Sequence, residues 1–504
     1  MSIETVDVLI VGAGLSGIGA AHHLQDKCPD KSFLILEGRE AMGGTWDLFR
    51  YPGIRSDSDM HTLGYSFKPW RQAKAIADGP AILEYINETA TESGIDQHIR
   101  YQHLVTGMDW SSADSQWTVQ VRRKDTGETL RFKCNFLLMC AGYYSYRQGH
   151  SPDFVGLEKF QGQVIHPQQW PEDLDYSGKK VVVIGSGATA MTLIPSMAEK
   201  AASVVMLQRS PTYVVSRPDK DRIANALRRF LPERWAYAIT RWKNVLLQQW
   251  VYKKTRNEPE DVKQKLLHMV REELGPDYDV EKHFTPSYNP WDQRLCLIPN
   301  SDLFQSIRSG KASVVTEQIS RITENGIELD TGETLEADII VTATGLELVI
   351  MGEATVTVDG ETIDFADTWT YKGIMYSGVP NLVTFFGYIN ASWTLRADLT
   401  AEYSCRLLNH MDAKGTPQAT PQLRDADVDM PARQWIEGFS AGYMQRVMHL
   451  FPKQGDREPW LNPQNYRKDR KMFRHGELED GALTFSRAED HKTLAPQADL
   501  RAAS

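Results

Sequence analysis

A chain of 504 residues exceeds the size at which one hydrophobic core stops growing, and its 41% hydrophobic content can fill two or three lobes. Its 56 basic residues against 66 acidic ones leave a net charge of -10, which argues against a general nucleic-acid or anionic-membrane binder and favours small-molecule chemistry. Its five cysteines, Cys28, Cys134, Cys140, Cys296 and Cys405, are odd in number, far apart and never in CxxC spacing, so neither a disulfide framework nor a zinc site is expected, and a reducing cytoplasm fits.

At the N-terminus the chain runs straight into an apolar strand pattern, with no basic segment or cleavage site ahead of it, so no signal peptide is expected. The segment VDVLIVGAGLSGIGAAHHL reads as a buried strand, a GxGxxG turn (Gly12, Gly14, Gly17) and an amphipathic helix. A second strand, SFLILE, ends at Glu37, 25 residues beyond Gly12, where a ribose-binding carboxylate belongs. Glycines there admit a pyrophosphate to the helix N-terminus, so a dinucleotide site is expected.

The pattern recurs in KVVVIGSGATA, with Gly185, Gly187, Thr189 and Ala190 at the turn. Its second strand, SVVMLQRS, ends in Gln208, Arg209 and Ser210. A guanidinium there grips a ribose 2′-phosphate that a carboxylate would repel, so this nucleotide is expected to be NADPH. Two further strands, NFLLMCAG and ADIIVTATG, end in small residues that let the chain cross between domains close to a cofactor.

Between Asp219 and Asp279 strand character disappears, and Trp235, Ile239, Trp242, Leu246 and Trp250 fall at helical spacing. The spacing predicts a helical subdomain whose apolar stripe packs on the NADPH domain; a membrane-resting helix, aided by Lys253, Lys254 and Arg256, is the lesser alternative. No apolar run approaches the roughly 20 residues a membrane span needs, so the protein is expected to be soluble or at most peripheral. The expected class is α/β, with two Rossmann-like dinucleotide domains and a helical insertion. Its parts are a first dinucleotide domain over 1–150 and 346–485, an NADPH domain over 151–218 and 291–345, the insertion over 219–290, and a disordered tail over 486–504.

From Phe160 the chain reads FQGQVIHPQQWP, and earlier it reads GGTWDLFRYPGIRSD. The first matches FxGxxxHxxxW(P/D) at Phe160, Gly162, His166, Trp170 and Pro171; the second supplies Gly43, Gly44, Thr45, Trp46, Tyr51, Pro52, Gly53 and Asp57. Together they resemble the Baeyer–Villiger monooxygenases, flavoenzymes that turn ketones into esters or lactones. The local text LQRSPTY, YNPWDQRLC and NASWTL is most similar to the ethionamide-activating branch.

The resemblance implies FAD in the first domain, NADPH in the second, and molecular oxygen with a small ketone or sulfide as substrates. Because the chemistry places an oxygen anion in a dry pocket, a fixed cation is required there. Arg294 matches the family's catalytic arginine, just before a strand expected to return to the FAD domain, and Asp57 is expected to orient it from the flavin side. Gln293 stands where several relatives carry Lys, so one positive charge near the nicotinamide is missing. His166 and Trp170 are expected to pack the linker and couple the domains. Trp393 precedes a helical stretch, LRADLTAEYSCRLLNHM, whose N-terminal dipole would face the flavin pyrimidine, although an ordinary core role fits it equally. The alternative function is a flavin-containing monooxygenase acting mainly on sulfur or nitrogen.

Overall fold

Leu9 and Ile10 have no polar neighbour to turn outward, so their strand has to be covered on both faces. In the computed structural model, which describes residues 3–487, that strand, Glu4–Val11, lies inside a nine-stranded sheet. It pairs in parallel with Phe33–Leu36 on one side and Thr129–Met139 on the other. Outward from Thr129–Met139 the sheet continues antiparallel through Gln116–Arg123 and His103–Ser111. Beyond these, Thr355–Val358 pairs with His103–Ser111, and Leu382–Thr384 adds to Thr129–Met139, so both are contributed by the far end of the chain.

A second, all-parallel sheet runs Ala312–Thr316, Ser203–Gln208, Lys180–Ile184, Ile339–Thr342, Gln163–Ile165. Chain leaves the first sheet through Tyr144–Gly149 and comes back through Leu346–Leu348, and these two crossings pair antiparallel with each other. Each sheet keeps its own buried apolar cluster, one around Ile10, Ile18 and Ile35 and one around Val183, Ile194 and Met206.

The insertion is helical, with Arg222–Phe230, Glu233–Asn257, Pro259–Leu274 and Val280–Phe284. Two expectations are corrected. The strand after Arg294, Cys296–Pro299, does not return to the first sheet but pairs in parallel with Val214–Arg217. The aromatic stripe does not pack on the NADPH domain either: Trp235, Ile239, Trp242, Leu246 and Trp250 are all exposed. Helix Glu233–Asn257 instead buries Ala236, Thr240, Asn244 and Val245. That face is fixed to the first lobe by Tyr237 donating to the Tyr65 carbonyl at 2.8 Å and Arg241 to the Gly64 carbonyl at 2.7 Å. Helical spacing fixes which residues share a face but not which face turns inward, and here polar anchoring decides it. Among the described residues no helix is long and apolar enough to cross a membrane. The tail expected over 486–504 begins at Ser486, the last residue of strand Leu483–Ser486, and from 488 lies outside the described residues.

Candidate active site between two glycine turns

In the N-terminal turn the three glycines do different work. Gly12 has φ +102°, and a Cβ there would sit 2.6 Å from the Cys140 carbonyl oxygen; a Cβ on Gly17 would sit 1.9 Å from the Gly12 oxygen. Both are therefore dictated by the fold. Gly14 is not: its φ is -81°, and its nearest neighbour would be the Gly44 Cα at an ordinary 3.5 Å. The second turn repeats the split. Gly185 has φ +133° and no room beside the Ala343 oxygen at 2.3 Å, whereas a Cβ on Gly187 would meet nothing within 4 Å. Ala190 is fully buried in the third position.

Each middle glycine is the N-cap of its helix, Leu15–Lys27 and Ala188–Met197, and neither helix receives a side-chain cap. A glycine that the surrounding packing does not require, beside uncapped amide N–H groups at a positive helix end, suits a pyrophosphate in both turns. The small strand ends are explained as well, since the backbones of Cys140 and Ala343 are what the first glycine of each turn must approach.

Glu37 is 4% exposed and accepts the Ala13 N–H at 2.8 Å on one oxygen and the Arg39 N–H at 2.9 Å on the other. Burial raises its pKa against those two bonds. A carboxylate has about four acceptor sites, so two remain for ribose hydroxyls. The matching strand end of the second unit is different. Gln208 turns inward, donating to the His283 carbonyl at 2.8 Å and to Thr316 at 2.9 Å. Arg209 is exposed, with no hydrogen-bond or salt-bridge partner among the described residues, and the Ser210 carbonyl accepts Ser186 Oγ–H at 3.2 Å. Partial desolvation, then the nearby Arg209 charge, holds the Arg446 guanidinium below its usual pKa. Two cations thus share this end of the second unit.

The GGTWDLFRYPGIRSD segment ties the lobes together. Gly44 (φ +56°) comes so near Gly14 that a Cβ on it would stand 3.0 Å from the Gly14 Cα; Thr45 and Trp46 open the short helix Thr45–Leu48. Gly53 (φ +73°) lies against the second-lobe helix, where a Cβ would be 1.9 Å from Ser196 Oγ. Tyr51 faces Thr189, and burial pushes its phenol up to about 12. Arg55 pairs with Asp302 at 2.5 Å. At the end of this segment Asp57 Oδ2 accepts from Arg294 Nη1 at 2.9 Å.

Arg294 also donates Nε–H towards the Tyr443 hydroxyl at 3.5 Å. Tyr443, then Asp57, raises the guanidinium's pKa further against burial, so it is charged at any working pH. Arg294 keeps 38% and Asp57 48% of side-chain exposure, so the pair can still be reached by a ligand. An exposed pair of this kind contributes little to stability, and its significance is positional. Tyr143 and Tyr144 flank it, with the Tyr144 hydroxyl donating to Tyr143 at 2.8 Å.

The FQGQVIHPQQWP segment lies in the linker. Phe160 packs beside the second sheet, Gly162 has the Asp338 oxygen where a Cβ would be, 2.2 Å away, and Trp170 packs on the second core. His166 spends both ring nitrogens on backbone groups, Gly345 O at 3.1 Å and Gln168 N–H at 3.2 Å. Trp393 opens helix Trp393–Lys414, stacks on Tyr143 at 5.3 Å and donates its indole N–H to Ser16 at 2.8 Å. Ser16 belongs to the first turn of the helix that follows Gly14.

Sequence reasoning missed Tyr143 and Tyr144, although they directly follow the CAG strand end. It also missed Tyr443 and Arg446, which lie far downstream without a motif.

The fold and site together define a two-dinucleotide flavoprotein. A model of flavin-binding monooxygenase-like proteins matches residues 75–366, and one of NAD(P)-binding Rossmann-like domains matches 10–78. The chain belongs to the flavin-binding monooxygenase-like family. It is 54% identical over 485 residues to the FAD-containing monooxygenase EthA of Mycobacterium tuberculosis (strain ATCC 25618 / H37Rv), covering 96% of this chain and 98% of that protein. The probable FAD-binding monooxygenase AlmA of Acinetobacter baylyi is 46% identical, with 96% and 97% covered. A steroid monooxygenase bound to NADP superposes with a TM-score of 0.78 at 22% identity, over 96% of this chain and all of that one. Cyclohexanone monooxygenase from Rhodococcus sp. Phi1 gives 0.75 at 18%, with the same coverage. At such identities the likeness is one of fold.

Proposed function

We propose that the chain is a Baeyer–Villiger monooxygenase: one atom of O2 enters beside a ketone carbonyl to give an ester or lactone, NADPH gives up a hydride to become NADP+, and the other oxygen takes that hydride's two electrons with two protons, one of them from solvent, and leaves as water. The observation that carries this reading is the Asp57–Arg294 pair, 2.9 Å apart at the junction of the two nucleotide units. FAD at the Gly12–Gly17 turn and NADPH at the Gly185–Ala190 turn would together supply two electrons and activate oxygen. FAD-containing relatives and NADP-bound structural neighbours support these cofactors.

This chain's residues do the rest. Gly14 and Gly187 admit the pyrophosphates, Glu37 takes ribose hydroxyls, Trp393 supports the first turn, and Arg209 with Ser210 reads the 2′-phosphate. Arg294 holds negative charge on the reacting oxygen, first before attack and then on the carbonyl oxygen, while Asp57 fixes its orientation. In this reading residues 1–150 and 346–485 form the FAD domain, 151–218 with 291–345 the NADPH domain and 219–290 the insertion. Sulfur oxidation of thioethers or thioamides is proposed as a second activity.

Purified protein should show flavin absorbance, and its NADPH oxidation should rise on adding a linear or methyl ketone, with one ester formed per NADPH in gas chromatography. NADPH consumption that no ketone stimulates, but a thioether does, would replace this reading with the sulfur-oxidising one.

A further inference from the structure

We infer that helices Arg222–Phe230 and Glu233–Asn257 form a docking face for an anionic lipid bilayer. Helix Glu233–Asn257 is built inside out. Inward it presents polar groups, with Asn244 donating to Asp59 at 2.8 Å and Gln248 to the other Asp59 oxygen at 3.1 Å. Outward it presents Trp235 at 67% exposure and Trp250 at 60%, with Ile239, Trp242 and Leu246 between them; Phe230, at 83%, extends the face onto the neighbouring helix. A contiguous apolar face of this size on a water-facing helix is costly unless something covers it.

Charge says what covers it. Of the nine Lys or Arg on the two helices, Arg241 turns inward, Arg228 bonds neighbouring backbone, and Lys243, Lys254 and Arg256 pair with carboxylates, which leaves Arg222, Arg229, Arg234 and Lys253 exposed without an acidic partner among the described residues, in a chain whose net charge is -10. An adjoining helix, Tyr466–His475, places Arg470 over the Trp242 ring at 4.9 Å, and its one acid, Asp469, is buried. A second copy docked symmetrically would set these like charges against each other, whereas an anionic headgroup layer neutralises them while the aromatic rings enter the interface. With no described helix able to cross a membrane, the mode is monotopic.

The same helix reaches towards the site. Asp59 lies two residues from Asp57, and Arg256 pairs at 2.6 Å with Asp292, two residues from Arg294. Docking would therefore bring bilayer-dissolved apolar compounds to the wall of the proposed active site.

The test is flotation of the full flavin-loaded chain with vesicles of phosphatidylcholine alone or mixed with phosphatidylglycerol. The parent should float with the mixed vesicles, and brominated acyl chains should quench its tryptophan fluorescence. The variant Phe230→Ser/Trp235→Ser/Trp250→Ser should lose about tenfold or more of its bound fraction at unchanged flavin content. Arg229→Glu/Lys253→Glu should lose the preference for phosphatidylglycerol. A parent that stays unbound and unquenched overturns the inference. So does a concentration-dependent dimer that the triple Ser variant dissolves, which would give the face to a second copy. Neither readout needs turnover, so failure here is separate from failure of the proposed reaction.

Discussion

His166 and Gly345 lie 179 residues apart and are joined by a 3.1 Å hydrogen bond from the imidazole Nε2–H to the Gly345 carbonyl. The other ring nitrogen accepts the Gln168 N–H, which assigns the neutral tautomer with its proton on Nε2. Gly149 leaves the ring its place, since a Cβ there would be 1.9 Å from Cε1. The histidine thus clasps the outgoing and the returning crossing of the chain.

Burial lowers the pKa of His166 below its ordinary 6.5. Below 6.5 the unfolded ring binds a proton that the folded ring refuses, so stability present above that pH is lost as pH falls towards the folded pKa. Parent protein should therefore unfold at lower urea once pH drops below 6.5. His166→Ala should cost about 1–3 kcal/mol at neutral pH, the scale for an unsatisfied partner, and show a shallower acid slope. His22, His61, His150 and His283 are lowered by burial too, so the difference between variant and parent isolates this ring. An unchanged slope would remove His166 from the account.

The split among glycines gives a paired prediction. Gly12→Ala should fail to fold, because its Cβ would meet the Cys140 oxygen at 2.6 Å on a backbone with φ +102°. Gly14→Ala should fold, because its conformation suits any residue, yet purify with little flavin. A yellow, stoichiometrically loaded Gly14→Ala protein would move the FAD site elsewhere.

Both glycine turns and the strand-end positions of Glu37 and Arg209 were legible because each sits in a dense local pattern, and the partnership of Asp57 with Arg294 was legible only through the family resemblance. What lay hidden was sidedness and long-range company. The tryptophans of helix Glu233–Asn257 have the same spacing whether they face a core or water, and the outcome turned on polar bonds to Asp59 and Gly64 that no periodicity encodes. Tyr443 meets Arg294 across 149 residues, and a net charge of -10 concealed a cationic face on two helices.

Arg209 stands exposed at a strand end where a 2′-phosphate is the only group separating NADPH from NADH. Arg209→Ala should raise the apparent KM for NADPH roughly tenfold to a hundredfold, the range of one lost charge-assisted bond, and leave that for NADH nearly unchanged. Arg446→Ala should move the same ratio in the same direction by less. Steady-state kinetics with both nucleotides decides, and an unaltered preference in Arg209→Ala would make this arginine a solvated charge.

Arg294 carries the sharpest prediction, because the proposed mechanism asks it to hold charge that exists only once oxygen has reacted. Its removal leaves the Gly12–Gly17 turn and Glu37 untouched, so Arg294→Ala should purify with normal flavin content. Hydride transfer should persist, and it should slow only to the extent that Arg294 also positions the nicotinamide. Ester formation should fall roughly a hundredfold or more, the usual scale for deleting one preorganised charge-stabilising group. Oxygen would still be consumed by reduced enzyme, so NADPH oxidation should run uncoupled and release hydrogen peroxide. Asp57→Ala should show a weaker form of the same defect, since it leaves the guanidinium charged but loses the 2.9 Å contact that aims it. Peroxide yield per NADPH, set against ester measured by gas chromatography, separates these outcomes. Coupled ester formation near the parent rate in Arg294→Ala would sink the assignment and the placement of the reaction between Asp57 and Arg294.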